Sequence, residues 1–140
     1  MARMSRGQVD EYLRAPRIAK LVTLYPDGSP TVVPVWYEWD GQEARIFTGR
    51  GSAKVERIQN DNRIALSVEE PTGNPEAWVV IEGTASIEQE GGFDLARRLA
   101  PQYYSRERAD AALEQWGRMA DEWVVIRVTP KRIRSLAPGT

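Results

Sequence analysis

The chain has 140 residues and a formal net charge of −1, a length that fits one core and one domain, expected over 1–140. No broad basic field points to nucleic acid. The sequence has neither cysteine nor histidine, which excludes disulfides, thiol catalysis, imidazole proton relays and His- or Cys-ligated metal. Any chemistry must come from carboxylates, Lys, Arg, Tyr, backbone groups or a borrowed cofactor.

In chain order, the spacing of Val9, Tyr12 and Leu13 predicts a short helix over 5–14, capped by Ser5 and stopped by Pro16. Residues 17–24 (RIAKLVTL) form a predicted strand, followed by the turn YPDGSP with Gly28 after Asp27. A second strand is expected over 31–39 (TVVPVWYEW) and a third over 43–49, joined at Asp40-Gly41. Residues 17–49 are thus expected to form an antiparallel meander.

A short helix follows from Ser52 onward, with Val55 and Ile58 toward the core; then come strands over 63–70 and 78–89. Gly83 inside the latter signals a bulge or bend of the kind that closing barrels need. Helices are predicted over 93–104 and 106–121, separated at Pro101, with Leu95, Leu99, Ala112, Leu113, Trp116 and Met119 supplying apolar faces. The last strand is 123–136, where Pro130 implies an edge or a bulge. Six strands with helices inserted late give an α+β class, read as a small antiparallel barrel. No apolar run approaches the ~20 residues that cross a bilayer. The N-terminal stretch lacks a signal peptide's apolar centre, so a cytoplasmic protein without membrane attachment is expected.

Two stretches carry candidate chemistry. TGRGSAKVERI (48–58) opens a helix with glycines and cations, where the usual preference is for negative charge. An anion would resolve the conflict. Gly49 and Gly51 leave room, Thr48 and Ser52 offer hydroxyls, and Lys54, with Arg50 or Arg57, supplies charge. The plainer alternative is a Gly-rich loop with Ser52 as N-cap. The GxxxxGK[ST] pattern of nucleoside triphosphate sites is missing. In TVVPVWYEW, Pro34 interrupts strand pairing beside Trp36, Tyr37 and Trp39, which suits a wall for a flat ring; core packing and a dimer interface are the alternatives. A strand apolar on both faces points to contact with another chain.

RIAKLVTL, the PDGSP turn, TVVPVWYEWDG, IFTGRGSAKVERIQNDNRIALSVEE and WVVIEGTASI together resemble the pyridoxamine 5′-phosphate oxidase-like split-barrel superfamily. Within it they are most similar to the F420-dependent flavin/deazaflavin oxidoreductases, over about residues 10 to 136. The resemblance implies a six-stranded antiparallel split β-barrel with short peripheral helices, homodimeric, with cofactor grooves at the dimer interface. It implies that Lys54 binds cofactor phosphate, with Thr48, Gly49, Arg50 and Ser52 in the loop beside it. It implies that Val33, Pro34, Val35 and Trp36 line the isoalloxazine or deazaflavin ring.

The implied activity is hydride transfer between bound F420, or alternatively FMN, and a small organic substrate. A non-catalytic flavin carrier or sensor is the alternative. No side chain stands out as an acid or base. Arg50, Arg57 and Lys20 either receive an acidic cofactor tail or form a solvated face. Tyr103, Tyr104 and Trp116 either wall the pocket or pack as ordinary helix residues. The short segment after the last strand makes vitamin B6 oxidation doubtful, and the missing histidine counts against haem-degrading relatives.

Overall fold

The computed structural model describes residues 2–139. Helix α1 (Arg6–Arg14) begins with a reciprocal capping box: Ser5 Oγ accepts from the Gln8 N–H, and Gln8 Oε1 accepts from the Ser5 N–H at 2.7 Å. It buries Val9, Tyr12 and Leu13 and ends before Pro16. Strands β1 (Ala19–Leu24) and β2 (Pro30–Val35) pair as a hairpin, with Gly28 at φ +86° closing its turn. Strands β3 (Glu38–Trp39) and β4 (Ala44–Gly49) form a second hairpin around Gly41 at φ +99°. Then follow α2 (Ala53–Asn60), β5 (Arg63–Glu69), β6 (Trp78–Glu88), α3 (Gly92–Tyr103), α4 (Arg106–Gly117), a 3₁₀ turn (Ala120–Glu122) and β7 (Trp123–Leu136).

The α+β class holds. All strand pairing is antiparallel, in one seven-stranded sheet of order β2-β1-β5-β6-β7-β4-β3. The sequence suggested six strands and a meander over 17–49, and both are corrected. The expected strand 31–39 breaks at Trp36–Tyr37, and its halves lie at opposite edges of the sheet. Two residues span that distance, so the sheet must curl until its edges meet. The break has a local cause. Pro34 has no N–H for the β1 ladder, Trp36 turns outward, and Tyr37 stays buried with its hydroxyl donating to the Ala15 carbonyl at 3.2 Å.

The bulge expected at Gly83 is present. The β6–β7 register shifts between Glu82 and Gly83, which lies opposite Pro130. Pro130 therefore sits at a bulge in a central strand, not at an edge. A Cβ on Gly83 would stand 2.1 Å from the Thr129 carbonyl oxygen. Gly92, at the start of α3, is also pressed against backbone: a Cβ there would stand 2.4 Å from the Trp123 carbonyl carbon.

The helix break expected at Pro101 lies further on. Helix α3 runs through Pro101 to Tyr103, and Ser105 caps α4. The missing Pro101 N–H frees only the carbonyl of exposed Arg97, which solvent can satisfy. Helix α4 stops at Gly117, short of the expected 121, and leaves Met119 exposed.

The main core lies inside the curl: Leu21, Ile46, Leu66, Ile81 and Ile126, closed by Leu13 and Tyr12 of α1 and Ile58 of α2. A smaller cluster on the outer face joins Leu95 and Leu99 to Val125, with Trp36, Phe47 and Tyr103 against it. Among the described residues no helix is long and apolar enough to cross a membrane.

Candidate functional site

Alternation along β4 sends Ala44, Ile46 and Thr48 into the core and Phe47 to the outer face. Trp123, at the start of β7, shows the same outer face, and the two rings meet edge to face at 5.7 Å. Trp36 joins them from the β2–β3 break, at 5.9 Å from Phe47. Tyr104 and Trp116 close over this floor from the α3–α4 hairpin, and the Trp123 indole N–H donates to the Trp116 carbonyl at 3.1 Å. The result is an open groove of about 320 Å³, walled by these rings with Pro34 and Val35, and Lys54 stands at its lip.

Lys54 is the electrostatic centre of the groove. It is half-buried, and among the described residues it has neither a hydrogen bond nor a carboxylate partner. Burial, and then the neighbouring Arg57 guanidinium, hold its ammonium below the usual lysine range. A buried cation without a counter-ion costs stability unless a ligand supplies one.

Ser52 occupies the N-cap position of α2, but its side chain makes no capping bond. Its hydroxyl instead accepts from Thr48 Oγ1 at 3.2 Å. The first-turn N–H groups beside Lys54 are left without a side-chain partner. Gly49 and Gly51 face open space: a Cβ at either would meet nothing within 4 Å. The residues present therefore fit an anionic group attached to a flat ring, with the charge at Lys54 and the ring among the aromatic walls.

The structure brings together Pro34, Val35, Trp36 and Lys54, and sets the other candidates around them. Val33 packs against the core behind the groove, and Thr48 is buried at its base. Gly49 pairs with Trp123 at the end of β4. Arg50 is elsewhere. Its guanidinium donates to the Asp121 carbonyl at 2.7 Å and to the Gln89 side chain, lining a separate hollow with Phe93 and Arg97. Lys20 is paired with Glu69 at 2.8 Å, and Arg57 donates to Thr23 Oγ1 at 2.7 Å.

Tyr104 and Trp116 line the groove, while Tyr103 stacks on Trp36 from behind. Phe47 is a further groove residue outside the candidate set; its outward parity between Ile46 and Thr48 is the sequence signal for it. Among the described residues no group of three or more His, Cys, Asp or Glu is placed to hold a metal ion.

Fold and groove together define an α+β protein whose curled antiparallel sheet carries an aromatic groove, lipped by one unpaired lysine, on its outer face. The chain matches the family described as pyridoxamine 5′-phosphate oxidase over residues 5–137, and it belongs to that family. It is 38% identical over 88 residues to a 5a,11a-dehydrotetracycline/5a,11a-dehydrooxytetracycline reductase of Streptomyces rimosus. That similarity covers 58% of this chain and 62% of the relative, less than two thirds of its length. A conserved hypothetical protein of Mycobacterium tuberculosis superposes with a TM-score of 0.73 at 26% identity, covering 94% of this chain and 84% of that one. A solved F420 reductase shares the fold at 23% identity, with a TM-score of 0.70 over 89% of this chain and 94% of that one.

Proposed function

We propose that this protein is a flavin- or deazaflavin-dependent oxidoreductase, with F420 as the cofactor and FMN as the alternative. It would act as a homodimer whose partner completes the open side of the groove, on a small organic substrate. The observation that carries this is Lys54, a half-buried lysine without a counter-ion among the described residues, at the mouth of a groove walled by aromatic rings. Family membership supports it, as do the reductase of Streptomyces rimosus and the F420 reductase that shares the fold.

In this proposal Lys54 and the open N–H groups of α2 hold the cofactor phosphate, with Ser52 and Gly49 beside it. Pro34, Val35 and Trp36 hold the ring. When bound, the reduced cofactor supplies a hydride, and the acceptor takes its proton from solvent. The groove's lining residues include no carboxylate, so the chain's work is binding, orientation and exclusion of water. Exposed Val32 and Pro34 on the outer edge of β2 are candidates for the dimer contact.

The test is anaerobic loading with FMN or F420, followed by reduction and addition of an acceptor. Cofactor re-oxidation faster than in free solution is the expected result. Loading without such turnover would favour a carrier, and failure to load either cofactor would defeat the proposal.

A further inference from the structure

We infer that the hollow on the far side of the Trp36–Tyr103 stack is a second binding site, for the uncharged, ring-bearing body of the reactant. Only the occupant's role as reactant rests on the cofactor assignment above; the site itself stands on its own geometry. The hollow measures about 670 Å³, roughly twice the Lys54 groove, which is ample for a small bicyclic molecule.

Tyr103 belongs to both places. One face of its ring lies on Trp36 at 4.8 Å, and the residue also lines the hollow. The strands connect the two sites as well, because Lys20 in the hollow stands opposite Pro34 of the groove in the β1–β2 register. A molecule in the hollow would therefore reach across β1 toward the ring wall.

The walls state the chemistry of the occupant. Ile18, just before β1, is 43% exposed, one of the few large apolar side chains left so open, and Tyr103 faces the same space. The charges in the hollow are already matched. Arg17 holds Glu70 at 2.5 Å and Lys20 holds Glu69 at 2.8 Å, so the two cations and two carboxylates sum to no net charge and leave no unpaired charge to hold an ion. Gln102 spends its amide N–H on the Arg98 carbonyl at 3.2 Å, and its side-chain oxygen has no partner among the described residues. The contrast with the groove is direct: an unpaired lysine there, cancelled charges here. The two sites select an anion and a neutral ring, side by side.

Calorimetric titration with 2-methyl-1,4-naphthoquinone, a neutral probe, tests this in wild type and in Ile18→Trp, which fills the hollow from an exposed position. The expected results are measurable binding in wild type and a Kd raised about tenfold or more in Ile18→Trp. FMN and F420 affinities should stay within about twofold. In a Lys54→Ala background, which removes the groove's cation, 1,4-naphthoquinone-2-sulfonate should bind at least about tenfold more weakly than the neutral quinone. No quinone binding in wild type, an unchanged Kd in Ile18→Trp, or equal binding of the sulfonate would overturn the inference. The quinone titration needs no cofactor, so failure of FMN and F420 to bind would be seen separately, as failure of the cofactor assignment.

Discussion

Trp36 and Tyr103 lie face to face, with ring centroids 4.8 Å apart and planes 5° from parallel. Tyr103 is fixed in turn by its hydroxyl, which donates to the Arg17 carbonyl at 2.8 Å and accepts from the Tyr37 N–H at 3.4 Å. One side chain from the end of α3 therefore holds the segment leading into β1, the β2–β3 break and the ring wall of the groove in one arrangement. Removing the hydroxyl in Tyr103→Phe keeps the stack and should cost about 1–2 kcal/mol in urea unfolding. Tyr103→Leu, which loses the stack as well, should cost about 1 kcal/mol more and shift the tryptophan emission.

Lys54→Met separates stability from binding. It removes a partly buried charge that has no partner, so the cofactor-free protein should gain up to about 1 kcal/mol in thermal or urea unfolding. The same change should lose affinity for FMN and F420. A variant that loses stability and keeps affinity would show that Lys54 serves the fold.

Gly83→Ala drives a methyl group into the Thr129 carbonyl at the bulge between central strands β6 and β7. Neither backbone can withdraw without breaking ladder bonds. The expected cost is about 3 kcal/mol or more, read as a lower urea midpoint. Gly49→Ala, where a Cβ meets nothing within 4 Å, should stay within about 0.5 kcal/mol of wild type.

Alkaline pH should loosen the α1 side of the curled sheet. Burial is the leading cause raising the Tyr12, Tyr37 and Tyr103 hydroxyls above the ordinary value of 10.0, and Tyr12 is pushed up to about 12. The unfolded chain then releases these protons first. The stability that neutral tyrosines provide is complete below pH 10 and falls as pH rises from 10 to about 12 and beyond. Tyr12→Phe should flatten the decline between pH 10 and 12 in a series of urea unfolding curves.

Much of this was legible in the sequence because its causes are local. Ser5 with Gln8, Gly28 after Asp27, and Gly41 after Asp40 each specify their own turn or cap, and Gly83 marks the bulge where two backbones approach. The break at Trp36–Tyr37 was legible only in part: Pro34 announces it, but the Tyr103 hydroxyl that accepts from the Tyr37 N–H sits at the end of a helix 66 residues further on. Arg50 shows the same limit. Its neighbours in sequence suggested an anion loop, but its guanidinium finds carbonyl and amide oxygens from Asp121 and Gln89. Conversely, Lys54 could be singled out early, yet only the three-dimensional arrangement shows that no carboxylate among the described residues answers it.

The most direct measurement is a fluorescence titration of purified wild type and Lys54→Ala with FMN and with F420, side by side. Saturable binding of at least one cofactor to wild type is expected, weakened by about 1.5–3 kcal/mol in Lys54→Ala, the worth of a charged hydrogen bond. No binding of either cofactor to wild type, or identical affinity in the variant, would contradict the assignment of Lys54 and its groove.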